Sequence, residues 1–347
     1  MQDGQKATLT LQTCYMLNKK KGWLMLLFTI TLTLLSVVLG IGLGSNSVSP
    51  ASFLQAALSG DVTDPAYRIV VHIRLPRVLG ALLAGSALAV SGAILQAVLN
   101  NPLASPNIIG VNTGAGLLVL LCSALFPALD YLLPFAAFIG ALLTALVIFA
   151  LAMGNGVSKI TLVLTGIAMS SILGAGMNCI MILYPDAYIG ASTFLVGGLA
   201  SITLKSLQFP VVYIIIGLVL AMLLRRDMNI VSLGESAARS LGMNVTLIRF
   251  LLIVTAAILA GAAVSFAGLL GFVGLIVPHA IRFIIGNDNL FLVPASAFGG
   301  AAFVTLCDLA SRMLFAPYEL PVGILLSFIG GPFFIYLVIR NRRNTYD

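Results

Sequence analysis

The sequence predicts an all-α, polytopic membrane protein with about ten transmembrane helices, and three features predict it. Hydrophobic residues make up 60% of the 347 and charged residues only 8%, with a mean hydropathy of +1.11. A soluble chain of that composition lacks the polar side chains to cover its own surface. Apolar runs of about twenty residues recur along the chain, the length that crosses about 30 Å of hydrocarbon at 1.5 Å per residue. Lysine and arginine are spread unevenly over the loops between them, as expected of a chain with a fixed orientation in a bilayer.

Ten apolar segments can be marked, at residues 23–43, 77–99, 108–126, 132–152, 160–183, 206–224, 247–268, 274–286, 290–311 and 320–339. The first follows Lys19, Lys20 and Lys21, but it is longer than the apolar region of a signal peptide and no A-x-A site follows, so it reads as a retained helix. In the second, Gln96 is the only strongly polar side chain between Val78 and Leu99. Gly85, Ala89 and Ala93 recur at fourfold spacing there, which lets a neighbouring helix approach closely. The loop between the second and third segments is polar and broken by Pro102 and Pro106. Such a loop can line an aqueous path without leaving backbone bare to lipid. The eighth segment is too short to span alone and is expected to lie partly within the bundle. The organisation is thus a tail at 1–22, one transmembrane domain at 23–343 with an inner loop at 225–246, and a tail at 344–347.

With the amino terminus inside, Lys6, Lys19, Lys20, Lys21, Lys159, Arg225, Arg226, Arg239, Arg249, Arg282, Arg340, Arg342 and Arg343 are cytoplasmic. Only Arg68, Arg74, Arg77, Lys205 and Arg312 fall outside, so both termini are expected in the cytoplasm. Topology accounts for the net charge of +7, and nucleic-acid binding is an unnecessary inference. Cys14, Cys122, Cys179 and Cys307 are scattered and show neither metal spacing nor a disulfide framework. His72 and His279 have no carboxylate or cysteine at ligand spacing, so no metal site is expected.

Two groups of residues stand out. Arg74 and Arg77 lie three apart before the second segment, and Arg312 lies at the outer end of the ninth with Asp308 one turn behind it. Two readings are open: interfacial snorkelling, or docking of an acidic patch on an extracytoplasmic partner. In the loop between the sixth and seventh segments, Ser232 and Glu235 have capping-box spacing, Glu235 and Arg239 have ion-pair spacing, and Gly242 is placed for a C-terminal cap. Leu233, Ala237 and Leu241 form one apolar stripe, with Ala238 alongside. A helix resting on lipid would favour bulky residues and several lysines; the small residues here suit a close-fitting protein groove better.

These motifs carry a resemblance. RLPR leading into a small-residue helix, NNPLASPNIIGVNTGAG, GESAARSLG, GFVGLIVPHAIRF and ELPVGILLSFIGGPFF run in one register from about residue 68 to the end. Together they are similar to the permease subunits of type II ABC importers, the iron-siderophore, haem and cobalamin uptake family (FecCD-type). The resemblance implies that fold. It implies a coupling loop for an ATPase groove at Gly234, Glu235, Ala238, Arg239, Leu241 and Gly242, to which the capping-box spacing adds Ser232. It implies binding-protein docking by Arg74, Arg77 and Arg312, and an inner gate at Asn101, Pro102 and Leu103 opposite Ser158 to Thr161. YIGASTFLVGGLAS resembles the family's short re-entrant helix, with Phe194 where tryptophan is common in relatives.

The implied partners are two ATPase subunits holding ATP and Mg, a second permease copy or paralogue, an extracytoplasmic substrate-binding protein, and the lipid of a bacterial or archaeal cell membrane. No cofactor is expected on this chain itself, since it has no G-x-x-x-x-G-K-[ST] loop, serine elbow or H-E-x-x-H. The cargo implied is an iron complex, a ferric siderophore first and haem or cobalamin as alternatives. An ion-coupled secondary transporter is the rival reading, with Asp308 as its main ionisable candidate. A membrane-embedded enzyme is the other, and neither histidine has the company it would need.

Overall fold

The computed structural model describes residues 2–44, 62–152 and 159–346, together with residues 49, 55, 56 and 58. In chain order the helices are α1 (Gln2–Gly42), α2 (Leu75–Leu99), α3 (Val111–Leu125), α4 (Leu133–Ala152), α5 (Lys159–Leu183), α6 (Pro185–Val196) and α7 (Leu204–Leu223). They continue with α8 (Arg225–Ser232), α9 (Glu235–Ser240), α10 (Val245–Ala267), α11 (Val273–Ile285), α12 (Asn289–Met313) and α13 (Val322–Tyr346). No strand occurs among the described residues.

Seven of these helices are long and apolar enough to cross a membrane, and three apolar helices are shorter: α3, α11 and the Val322–Leu337 part of α13. The short eighth segment is thus as read from sequence. The third is also short, because Pro106–Ile109 forms a 3₁₀ turn and Gly110 (φ +67°) reorients the chain before α3 begins. The second is longer than marked. A turn at Pro65–Arg68, capped by Asp64 Oδ1 accepting from the Ala66 N–H at 2.7 Å, runs through a π-helical turn at Ile69–Arg74 into α2.

Helix α2 is the centre of the molecule: 83% of its apolar window is buried, against 11% for α5. Its small residues make this possible. A Cβ on Gly85 would fall on the Gly300 carbonyl of α12, and one on Gly92 would fall on the Gly274 carbonyl of α11. The backbones therefore touch, which in lipid gains dispersion contacts that bulkier side chains would prevent. Gly85, from the fourfold stripe, does what the spacing predicts, whereas Gly92 lies outside that stripe. Ser91 Oγ donates to the Ala256 carbonyl of α10 at 2.7 Å, giving a buried hydroxyl its partner on the third side of α2. Helix α1 closes the outside of α12, through Thr33 Oγ1 donating to the Phe298 carbonyl at 2.8 Å and an edge contact of Trp23 on Phe291.

The twelve-residue α6, too short to span at 1.5 Å per residue, is the short helix expected between the fifth and sixth segments. Backbone hydrogen bonds tie down its end. The Leu269 N–H donates to the Phe194 carbonyl at 3.0 Å, the Gly198 N–H to the Ala267 carbonyl at 3.0 Å, and the Gly323 N–H to the Gly197 carbonyl at 3.1 Å. Phe194 itself is half-buried against the core.

Candidate functional site

Polar side chains gather at the two ends of the bundle. At the first end lie α8 and α9. Met228 and Val231 bury α8 against the bundle, and Asn229 fixes it. Asn229 Oδ1 accepts from the backbone and side-chain N–H groups of Asn289 at 3.0 and 2.7 Å, and its Nδ2 donates to Asp288 Oδ1 at 3.1 Å. The first turn of α12 is thereby tied to α8.

The capping box expected from Ser232 and Glu235 does not form. Ser232 is the last residue of α8, and its Oγ donates to the Asn229 carbonyl at 2.7 Å. Gly234, at φ +105°, is the residue that caps α9, so Glu235 is already its first helical residue. The C-terminal reading does hold: Gly242 sits at φ +79°, its N–H donating to the Arg239 carbonyl at 2.9 Å and that of Met243 to the Ala238 carbonyl at 3.1 Å. That is a Schellman motif. The apolar stripe divides. Ala238 packs inward, while Leu233 and Leu241 are each 65% exposed.

Glu235 holds two arginines. Arg239 Nη2 donates to its Oε1 at 2.8 Å, the pair the spacing predicts. Arg249 Nη1, from the second turn of α10, donates to its Oε2 at 2.9 Å, with the Arg249 side chain only 3% exposed. The Arg249 and then the Arg239 hydrogen bonds hold the Glu235 carboxyl below its ordinary pKa. Sequence reading placed Arg249 only as a cytoplasmic charge. Its one signal was a lone arginine inside an apolar run.

Nearby, α2 ends at Asn100 in the left-handed region (φ 46°), which asparagine tolerates. Asn101 is exposed at the turn that follows, its Oδ1 accepting from the Leu103 N–H at 2.9 Å. Leu103 rests on Leu275, Ile276 and Leu337. A cavity of about 330 Å³ separates Asn100 from Asn229 and Asp288. Thr161 is exposed on α5, and Ser158 lies outside the described residues. Helix α5 meets the proline-broken loop where a Cβ on Gly166 would fall on the Ile108 carbonyl, just over one turn beyond Thr161.

At the opposite end, Arg74, Arg77 and Arg312 come together but do not face outward: they are 3%, 4% and 3% exposed. Arg77 Nε donates to both oxygens of Asp308 at 2.9 and 3.0 Å, and its Nη1 to Glu319 Oε2 at 2.6 Å. Arg312 Nε lies 3.2 Å from Asp308 Oδ2, and its Nη2 donates to the Gly40 carbonyl at 3.3 Å. Arg74 Nη1 donates to the carbonyls of Ile41 and Gly42, both at 2.8 Å. In this chain the three guanidinium groups meet the chain's own acceptors rather than forming the exposed basic surface expected of them. Carbonyls at the end of α1 and two carboxylates take up part of their donor set. Asp308, the candidate for ion coupling, is clamped between two arginines. Glu319 opens the ELPVGILLSFIGGPFF motif, but its pairing was not legible in the sequence, because its partner lies 242 positions away.

Between the ends, α5 presents Ser171 and Asn178 on an exposed face. Cys122, Cys179 and Cys307 are free thiols, and no group of three metal-ligating side chains occurs among the described residues.

Against known proteins, the profile of the FecCD transport family matches residues 32–340. The Fe(3+)-citrate import system permease protein YfmE of Bacillus subtilis is 36% identical over 315 residues, covering 90% of this chain and 93% of its own. The hemin transport system permease protein HmuU of Yersinia pestis is 37% identical over 317 residues, with 90% and 95% covered. A solved inward-facing conformation of a metal-chelate type ABC transporter superposes with a TM-score of 0.78 at 27% identity, over 91% of this chain and 98% of that one.

Proposed function

The chain belongs to the FecCD transport family, as a multi-pass membrane permease, and from that premise we propose that it is the membrane subunit of a binding-protein-dependent importer of iron complexes. ATP, with Mg, is held and hydrolysed on two separate ATPase subunits. The observation that carries this reading is the α8–α9 pair. It is a bounded element tied to the bundle by polar contacts, with Leu233 and Leu241 turned away from the chain's own core. Two exposed leucines beside a buried alanine suit a protein groove, since apolar side chains presented together mark interaction surfaces. The positive-inside bias supports placing that loop, Lys19 to Lys21 and both termini in the cytoplasm.

The exposed face of α5 supports the second half of the reading. Only 11% of its apolar window is buried, and Asn178 and Ser171 lie on the open side. Ser171 Oγ already donates to the Ile167 carbonyl at 3.0 Å, but an Asn178 amide facing hydrocarbon is costly, so this face suits a second copy across an aqueous path. Iron citrate and hemin are named for relatives of near-equal identity, and a ferric chelate, a siderophore complex first, is the cargo proposed here. The extracytoplasmic binding protein delivers it. ATP binding and hydrolysis then shift the bundle between two states, because only a ligand with differential affinity for the states can move their balance. An ion-coupled cycle through Asp308 is disfavoured by its two arginine partners.

The test is co-purification of the chain expressed with its genomic neighbours, followed by reconstitution and uptake of ferric siderophores, haem and cobalamin. Recovery of an ATPase with ATP-dependent uptake supports the reading and names the cargo. Uptake that follows an ion gradient with no ATPase recovered overturns it.

A further inference from the structure

We infer that Arg249 is the positioning residue through which displacement of the α8–α9 pair reaches the membrane bundle, with Asn229 as a second anchor leading to a different helix. This rests on the coupling role proposed for that pair.

Packing does not hold α9 in place. It is six residues long, and Ala238 is its one buried side chain. The glycines that flank it have open space where a Cβ would be, at φ +105° and +79°. Serine side chains on α9 bond only within their own turn, as Ser240 Oγ does to the Ser236 carbonyl at 3.0 Å. What remains is Glu235. One oxygen goes to Arg239, which is 61% exposed and rides on the same helix, so that bond transmits nothing. The other goes to Arg249, which is nearly fully buried on another helix. The Arg249 guanidinium is nearly fully buried although Glu235 is 39% exposed, so breaking the bond costs mainly the arginine's side of the pair, and α9 is tied to the start of α10.

From there α10 is a strut. Two-thirds of its apolar window is buried. It bonds α2 through Ser91 and the Ala256 carbonyl, and it ends in the turn whose backbone is stitched to α6 by Leu269 and Gly198. Asn229 makes the corresponding connection for α8. It grips Asn289 and Asp288 at the start of α12, whose far end holds Asp308 and Arg312. The loop therefore acts on two struts with different destinations, one reaching the short helix α6 and the other the buried ionic cluster.

The test uses Arg249→Gln, which keeps length and polarity but removes the charge, with Arg249→Lys as the conservative variant. In the isolated permease, backbone hydrogen exchange over residues 234–243 should rise about tenfold in Arg249→Gln, the equivalent of one lost charge-assisted hydrogen bond. Exchange within α2 and α12 should stay as in the wild type. In the reconstituted complex, ATP consumed per molecule imported should rise about tenfold or more, with the ATPase still recovered through Leu233 and Leu241 and the ratio partly restored in Arg249→Lys.

Unchanged exchange over 234–243, or an unchanged ratio of ATP to cargo in Arg249→Gln, overturns the inference. So does a loss of transport that only tracks a global fall in thermal stability, since that is what a merely structural arginine would give. If the wild-type chain recovers no ATPase, the coupling role itself fails and the inference falls with it. The exchange measurement still reports separately on whether Arg249 holds α9.

Discussion

Replacing Asp308 by asparagine should destabilise the protein strongly, by an amount that follows from burial. The Asp308 side chain is 1% exposed and stands between the guanidinium groups of Arg77 and Arg312, which are 5% and 3% exposed. The amide keeps the shape and removes the charge, leaving two buried cations to share Glu319 and backbone carbonyls. Removing one partner of a buried pair costs about 3–5 kcal/mol. At the roughly 2 °C per kcal/mol expected for a chain of this size, the apparent Tm should fall by about 6–10 °C. Glu319→Gln is the internal comparison. Its carboxylate also binds Arg77 but is 33% exposed, so water replaces much of what is lost and the cost should be about 0–1 kcal/mol, a shift of roughly 2 °C or less.

The assay is thermal unfolding of both variants in one detergent at one scan rate, since membrane proteins often unfold irreversibly. A third variant separates charge from packing. Arg77→Met, Asp308→Leu and Arg312→Met together remove Asp308 with both of its arginine partners and should recover most of the loss, because well-packed apolar groups commonly replace buried ion clusters without penalty. If Asp308→Asn melts within about 1 °C of the wild type, the arginines are not held as described. The docking reading of them would then return.

Gly92→Leu should abolish recovery of folded protein, since its Cβ would fall on the Gly274 carbonyl and overpacking against backbone exceeds the usual 1–3 kcal/mol or so; size-exclusion yield reads this. Gly174→Ala, where no atom lies within 4 Å of the added carbon, should melt at or slightly above the wild type, by up to about 1 kcal/mol of helix preference. Glu235 has a pKa lowered in the folded state. Its contact is therefore fully present above the unfolded value of about 4.3 and is lost as pH falls through the lower folded one. Hydrogen exchange over 234–243, corrected for intrinsic rate, should be flat from pH 7 to about 5 and rise only below about 4.3. Leu233→Ser with Leu241→Ser should leave the permease Tm almost unmoved, as exposed substitutions cost about 0.5 kcal/mol or less. The same pair should lower ATPase recovery about tenfold or more.

What the sequence showed and hid divides by the distance over which residues interact. Apolar length placed every large helix, and the fourfold stripe placed Gly85 where α12 touches α2, because both are properties of one contiguous segment. The Schellman end of α9 was legible for the same reason. The capping box was misread because Ser232 and Glu235 have the right spacing on two different helices, with Gly234 breaking the chain between them. Partnerships were hidden. Arg77 and Asp308 are 231 positions apart, and Glu235 and Arg249 are 14 apart across a turn. Outward arginines and buried arginines look alike until the acceptors that meet them are known, and those acceptors here include the carbonyls at the end of α1.

The way each helix is held also indicates which can move. Helices α2, α11 and α12 touch through glycine backbones at Gly85 with Gly300 and Gly92 with Gly274, and such contacts have no slack because no side chain can rotate to absorb a shift. Helix α5 has one such contact, Gly166 on the Ile108 carbonyl of the proline-broken loop, but it meets α3 differently. It is mostly exposed, and its contacts include side-chain tips, such as the Met177 thioether over Gly116 and Thr113 Oγ1 donating to Ser170 Oγ at 3.4 Å. Side-chain contacts of that kind can break and re-form at little cost, so a two-state transporter built on this chain would move α5 against a rigid α2–α11–α12 core. Thr113→Cys with Ser170→Cys, in a chain whose native cysteines are replaced, joins α3 to α5 at that contact. Oxidation should stop uptake in the reconstituted complex and reduction should restore it. Full uptake by the oxidised protein would mean that α3 and α5 travel together and that the moving boundary lies elsewhere.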